Sequence, residues 1–394
     1  MRSTTTSRRR SRTRAWLAAF AVLALLGAAC GGDDDGDEAT EDPAGEGSGG
    51  SGDEGAEEEE EVEEGLVLLD ELVADQELLD AAREEGGLTL YSMTSQEFGE
   101  AQGKAFTEDT GVDFTLFRAP SAELTQRVLS ENDAGVHAFD VIQQSGPTDM
   151  AKFRDLGLLA GYELPVGEGH FLNPDEIQDD FTYFPFSSYV YVPAYNSAVL
   201  PDGLEIEDWD DILDPRVKGK VGITPAGVGG TGIGMAAFQD EVLGGDAYLE
   251  KLAAADPVIF PSTVTVADGL ARGELTTAIV GESVAVTQKS NGAPVELVYP
   301  KDGVIGGVSY MGVAAKAENP NAARLFVNWV LSKRGQQVHE QCCLQRTIRD
   351  DTPPTDNELV PPTSDIKIWW PNLSSRGDTT ALVENWNKIV GYTG

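Results

Sequence analysis

The sequence predicts an α/β fold divided into two lobes. Short apolar segments of strand character alternate with amphipathic stretches. Once an atypical N-terminus is set aside, roughly 325 of the 394 residues remain, more than one hydrophobic core holds together.

The N-terminus is an address. Arg2, Arg8, Arg9, Arg10, Arg12 and Arg14 precede an apolar run of 15 residues from Ala15 to Ala29. A membrane-spanning helix needs about 20 such residues, so residues 1–29 read as a signal peptide. Leu25-Leu26-Gly27-Ala28-Ala29-Cys30 resembles a bacterial lipoprotein box, which implies that an acylated Cys30 starts the mature chain. Gly27 departs from that pattern, where a large aliphatic residue is commoner. The Arg8-Arg9-Arg10 cluster leaves general secretion and twin-arginine export both open.

Residues 30–65 read as a lipid-anchored acidic linker. From Gly31 to Gly65 there are 17 acidic residues, no Lys or Arg, and one apolar side chain larger than alanine, Val62. Such a stretch cannot bury enough apolar surface to offset its ordering entropy, and its charges repel one another.

The formal charge of −39 becomes about −45 without the six signal arginines and about −28 without the 17 linker acids. A folded part this acidic argues against nucleic acid and against adhesion to anionic lipid. Beyond Cys30 the cysteines are Cys342 and Cys343, with His339 alone just upstream, so no zinc set exists. A vicinal disulfide, an intermolecular pair and two buried thiols all remain open.

Along the folded part, Leu66 to Arg83 reads as a helix ending at Gly86-Gly87. Leu88–Tyr91 reads as a strand, Ser95–Thr110 as a helix and Val112–Arg118 as a strand; Ser121 is the expected N-cap of the next helix. Phe139–Gln143 is the third strand, and this order implies a parallel sheet covered by helices. Tyr183–Tyr195 alternates aromatic and aliphatic residues as a long strand. Lys220–Thr224 is a strand, 230–300 holds further helix and strand, and Val308–Ala315 is extended. Asn321–Ser332 and Thr380–Val390 are helical in period.

The order of short motifs from Leu88 to Arg349 resembles the bacterial extracellular solute-binding proteins of the type II periplasmic-binding fold, nearest the ferric-iron-binding branch. The motifs include Leu88-Thr-Leu-Tyr91-Ser92, Phe106-Thr-Glu-Asp-Thr-Gly111 and Phe139-Asp140-Val141. Tyr195-Asn196, Trp209 to Lys220, Pro300-Lys-Asp302-Gly303 and Asn319 through Ser332 complete the set. The resemblance implies lobe 1 from 66–192 plus 312–350, lobe 2 from 193–311, and a C-terminal segment 351–394 packing back on both. It implies crossing strands near Val190–Tyr195 and Val308–Val313, and a ligand in the cleft between the lobes. It further implies delivery to an ABC importer permease, with a small-molecule solute, a membrane contact through the N-terminal lipid, a monomer, no cofactor and no catalysis.

Open α/β sheets bind ligands at the carboxyl ends of their strands, where loops and helix N-termini meet. The expected ligand residues are therefore Ser92, Thr94 and Ser95 after the first strand, Arg118 and Ser121 after the second, and Ser145 after the third. Gly229, Gly230 and Thr231 come from a glycine loop, Glu282 and Ser283 follow the strand Thr277–Val280, and Tyr310 lies on the second crossing strand. Arg118, the hydroxyls and the helix starts favour an anion-bearing solute. Gly227-x-Gly229-x-x-Gly232 matches a dinucleotide fingerprint formally but lacks the acidic strand end that motif needs.

Two alternatives stand beside this reading. Ferric relatives place two adjacent tyrosines where this chain has Gly281-Glu282-Ser283-Val284, so iron would need a phenol set from Tyr189, Tyr191 and Tyr195, or a ferric chelate. Gly281-Glu-Ser283-Val-Ala285 resembles a nucleophile elbow, which would make Ser283 the centre of an extracytoplasmic serine hydrolase.

Overall fold

In the computed structural model, residues 65–167, 169–227, 229–354 and 358–393 are described. The expected signal peptide, Cys30 and the linker up to residue 64 lie outside them. Among the described residues no helix is long and apolar enough to cross a membrane.

The expected helix over 66–83 is instead a hairpin, β1 (Gly65–Leu68) and β2 (Glu71–Asp75), followed by α1 (Gln76–Glu85). Leu69 and Asp70 turn it, both with positive φ. The leucine-rich run fits period 2 as well as period 3.6, and pairing decides between them. Asp75 then caps α1 by accepting from the Leu78 N–H, and Gly86 ends it in the left-handed region.

Next come β3 (Gly87–Ser92), α2 (Gln96–Thr110), β4 (Asp113–Arg118), α3 (Ser121–Asp133), β5 (Val141–Gln144), α4 (Pro147–Asp155) and β6 (Leu159–Ala160). Strands β4, β3 and β5 pair in parallel. Pro120 takes the N-cap position expected of Ser121, whose hydroxyl is spent on Ser145 at 2.9 Å.

Two strands then hold the molecule together: β7 (Phe184–Asn196) and, 108 positions after its end, β12 (Val304–Ala314). They pair antiparallel at the centre of an 11-stranded sheet whose main order is β4-β3-β5-β12-β7-β10-β8-β9. Each strand serves two cores. Phe184, Phe186, Met311 and Val313 pack with α2 and α9, while Ala194 and Ile305 pack in clusters at the other end. Two lobes joined by two crossing strands follow from that division.

The second lobe contains β8 (Val221–Ile223), α5 (Gly229–Glu241), α6 (Asp246–Ala254), β9 (Val258–Ile259), α7 (Thr263–Ala271), β10 (Thr277–Gly281), α8 (Glu282–Ser290) and β11 (Val295–Leu297). After β12 the chain returns to the first lobe with α9 (Pro320–Leu331) and α10 (Lys333–Cys343). Leu325, Phe326 and Trp329 of α9 are wholly buried, each worth about 1.5–3 kcal/mol on apolar transfer.

The C-terminal segment carries β13 (Ile368–Trp369), α11 (Leu373–Arg376) and α12 (Thr380–Val390). β13 extends the sheet beside β12, α11 packs on α4, and α12 packs on α5 and α6. The segment thus touches both lobes.

Candidate functional site

A cleft of about 600 Å³ opens between the lobes. Lobe 1 supplies Met93, Thr94, Ser95 and Ser145; the crossing strands supply Ser187, Tyr189, Tyr191 and Ser309; lobe 2 supplies Thr263, Gly281, Ser283 and Val284. At the neighbouring end, Trp370 and Pro371 of the C-terminal segment close over Ser145, Pro147, Tyr189 and Gly234. Glycines permit that closure. A Cβ at Gly306 would meet the Trp370 indole, and one at Gly307 would meet the Tyr189 ring.

The lobe 1 lip is built on a buried chain of hydrogen bonds with one direction. Gln102 Nε2 lies 2.7 Å from His339 Nε2, and Gln102 Oε1 accepts from Gln143 Nε2 at 3.1 Å. Gln143 Oε1 accepts from Ser92 Oγ at 2.8 Å, so Ser92 accepts in turn from the Thr94 hydroxyl at 2.8 Å and the Thr94 N–H at 3.1 Å. Because an amide nitrogen only donates, His339 Nε2 must be the bare acceptor. Burial agrees: it pushes the His339 pKa down to about 3, so the ring is neutral. With its proton committed to Ser92, the Thr94 oxygen presents only lone pairs to the cleft. Arg118 stands beside this loop and donates its Nε–H to the Thr94 carbonyl at 2.9 Å.

Electrostatics in the cleft come from helix ends. Glu97 is the one formal charge among the described lining residues. Helices α2 and α7 are self-capped, by Ser95 and Ser262. Helices α4 and α8 are not. Their N-cap residues are Gly146 and Gly281, which have no side chain to offer the first N–H groups. An uncapped helix start carries free donors and about half a positive charge. One such start lies on each lobe: that of α8 follows Gly281, which lines the cleft, and that of α4 follows Ser145, which also lines it, with Pro147 in the adjoining pocket beside Trp370.

The expected ligand residues therefore divide. Thr94, Ser95, Ser145 and Ser283 line the cleft. Ser92 is wholly buried and orients Thr94; Ser121 orients Ser145; Arg118 holds the loop between. Tyr310 is buried and donates to Glu176 Oε2 at 2.7 Å, with burial foremost among the causes that raise its pKa. Glu282 is also buried. It accepts from Arg346 Nη2 and Nε, at 2.6 and 2.8 Å, and from the Tyr299 hydroxyl at 2.6 Å. Ser92 thus supports the wall of the main cleft, Tyr310 lines its neighbouring end beside Tyr189 and Trp370, and Glu282 borders a separate chamber beside Arg346. Gly229 opens α5, and the side chains at 229–231 lie outside the described residues, as does Val228.

Of the alternative phenol set, Tyr189 and Tyr191 line the cleft with ring centroids 6.1 Å apart, whereas Tyr195 packs against the core of lobe 2. The hydrolase reading finds no base. Among the described residues the imidazoles of His137, His170 and His339 bond Lys316, Asp350 and Gln102, and no hydrogen bond joins any of them to Ser283. Sequence reasoning missed Thr263, Ser187 and Ser309 in the walls, although Ser262-Thr263 at a helix start was a readable signal.

Two lobes, two crossing strands and a cleft ringed by helix starts define a solute-binding receptor. The family model of the bacterial extracellular solute-binding proteins matches residues 101–342, and the chain belongs to that family. It is 23% identical over 269 residues to the Fe(3+)-binding periplasmic protein of Serratia marcescens, covering 66% of this chain and 77% of that protein. It is 22% identical over 329 residues to a periplasmic protein of Salmonella typhimurium named for 2-aminoethylphosphonate binding, covering 78% and 93%. Among solved structures, AfuA of Actinobacillus pleuropneumoniae with fructose-6-phosphate bound superposes with a TM-score of 0.61 at 23% identity, covering 78% and 99%. The family consists of transport receptors, and catalysis by Ser283 has no support in it.

Proposed function

We propose that this protein captures a small oxyanion-bearing solute in the interlobe cleft and delivers it to an ABC importer permease. The observation that carries the reading is a pair of helices on opposite lobes, α4 after Gly146 and α8 after Gly281, whose starts follow cleft-lining residues, Ser145 and Gly281, and carry no side-chain cap. An oxyanion between them caps both helices at once and draws the lobes shut, which is the hinge-closure signal an importer reads. Thr94, Ser95, Ser145 and Ser283 make the hydroxyl contacts, and the acceptor-only oxygen of Thr94 suits a donor on the solute's body. The lobes run over 66–192 plus 312–350 and over 193–311, with 351–394 as a strap across them. Residues 1–29 direct export, and a lipid on Cys30 tethers the receptor, through the acidic linker, to the outer face of the cytoplasmic membrane.

Calorimetric titration with inorganic phosphate, 2-aminoethylphosphonate, fructose 6-phosphate and citrate tests the reading. Heat with at least one oxyanion is expected; a flat trace with all of them contradicts it. A second reading rests on Tyr189 and Tyr191, whose rings share the cleft wall. If phenolate binds iron there, ferric citrate gives a charge-transfer colour, and a colourless mixture removes direct tyrosine ligation.

A further inference from the structure

The adjacent cysteines that the sequence left open form a disulfide, Cys342–Cys343, and both residues line the interlobe cleft. Three features tie that bond to the geometry of the cleft. Helix α10 ends at Cys343, and Leu344 follows with φ of +54°, a left-handed conformation that a branched side chain seldom adopts without constraint. Leu344 and Gln345 form a partition: they face the main cleft on one side and a second chamber of about 290 Å³ on the other. One residue further, Arg346 exchanges backbone hydrogen bonds with Ser188 of crossing strand β7 and ion-pairs with Glu282 at the start of α8. Disulfide, partition, hinge strand and second lobe are thus consecutive along five residues.

We propose that the Cys342–Cys343 disulfide is a thiol-reducible wall of the cleft that sets ligand affinity. Oxidised, it fixes the left-handed turn at Leu344, and with it the partition and the Arg346 contact to lobe 2. Reduction proceeds through a dithiol. One of its thiolates attacks a cysteine sulfur, the S–S bond breaks, and a mixed disulfide forms. The second thiol of the reductant closes its own disulfide and releases the protein sulfur. Two electrons and two protons end on Cys342 and Cys343. The turn then relaxes, the partition moves, and the two lobes lose part of their fixed registration. The pair is a positioning element acting through Leu344–Arg346, and it rests on the cleft being the ligand site.

The first two measurements use the full chain without ligand, so their failure is separate from failure of the oxyanion reading. The folded protein is treated with dithiothreitol in the absence of denaturant and alkylated with iodoacetamide. The Cys342/Cys343 peptide is expected to gain two alkyl groups; modification only after unfolding overturns the proposal. Hydrogen exchange is then compared between oxidised protein, reduced protein and the Cys342→Ser/Cys343→Ser variant. Faster exchange confined to residues 344–346, 187–189 and 281–284 is expected in both thiol-free and reduced forms. Unchanged exchange, or a rise spread over α6 and α12, overturns it. For a solute that binds the oxidised form, reduction raises Kd by about tenfold, within the usual range of coupling energies; an unchanged Kd overturns the affinity claim.

Discussion

Arg346 and Glu282 form a buried ion pair across the hinge: Arg346 is bonded through its backbone to crossing strand β7, and Glu282 opens the first helix turn of the opposite lobe. The side chains are 5% and 3% exposed, and Arg346 also donates to the Pro361 carbonyl of the C-terminal segment at 2.9 Å. Burial alone would lower the Arg346 pKa, but the hydrogen bonds and charge of Glu282 outweigh it and raise it. One contact therefore ties both lobes and the strap together.

Removing one partner leaves the other charge buried and unpaired. Arg346→Met is expected to cost about 3–5 kcal/mol in urea unfolding. The double variant Arg346→Met/Glu282→Gln should regain part of that loss, because the orphaned carboxylate is gone. Equal losses in single and double variants would mean the pair contributes through shape alone.

Gly281→Asp and Gly146→Asp each place a carboxylate where an N-cap normally sits. Both glycines have cap-like backbone, φ −64° and −148°; a Cβ at Gly146 meets nothing within 4 Å, whereas one at the buried Gly281 would come within 3.3 Å of Thr263 Oγ1. In Gly146→Asp stability should hold or rise by about a few tenths of a kcal/mol, since aspartate caps slightly better than glycine, whereas Gly281→Asp should lose some stability to its crowded, buried position. Oxyanion binding should weaken by about 10–100-fold, as expected for a lost charge-assisted contact. Thermal melts and calorimetry on the same samples separate the two effects.

His339 is neutral in the fold, with its pKa held at about 3 against an ordinary 6.5. The unfolded chain binds a proton below pH 6.5 and the folded chain does not, so the unfolded state gains as pH falls. Its contribution is complete above that pH and declines by about 1.4 kcal/mol per pH unit below it, toward pH 3. Urea unfolding at neutral and mildly acidic pH should show the decline, and His339→Gln should remove about one proton's worth of slope.

Gly307→Ala inserts a methyl into the Tyr189 ring that lies over it. A cost of about 1–3 kcal/mol is expected, with Tyr189 displaced from the wall and solute affinity reduced. Affinity unchanged despite the lost stability would place the solute away from Tyr189.

The crossing strands were legible because Tyr183–Tyr195 alternates large residues in a period that only a strand satisfies, and that alternation reflects two cores served by one strand. The hairpin at 65–75 was not, because its leucines fit both periods and long-range packing on α9 decides. Loop position identified Thr94, Ser95, Ser145 and Ser283, since strand ends in an open sheet converge. It could not separate those facing the cleft from Ser92, Tyr310 and Glu282, whose partners Gln143, Glu176 and Arg346 lie 51, 134 and 64 positions away. The glycine caps were readable: Gly146-Pro147 and Gly281-Glu282 each follow a strand and open a helix with no capping side chain.

The two helix starts can be watched directly. In a ¹⁵N-labelled sample titrated with a binding oxyanion, the amide protons of Thr148 and Asp149 and those of Ser283 and Val284 should move downfield together, along one binding curve. Shifts restricted to a single lobe, or centred on residues remote from both glycines, would contradict capture of the solute between them.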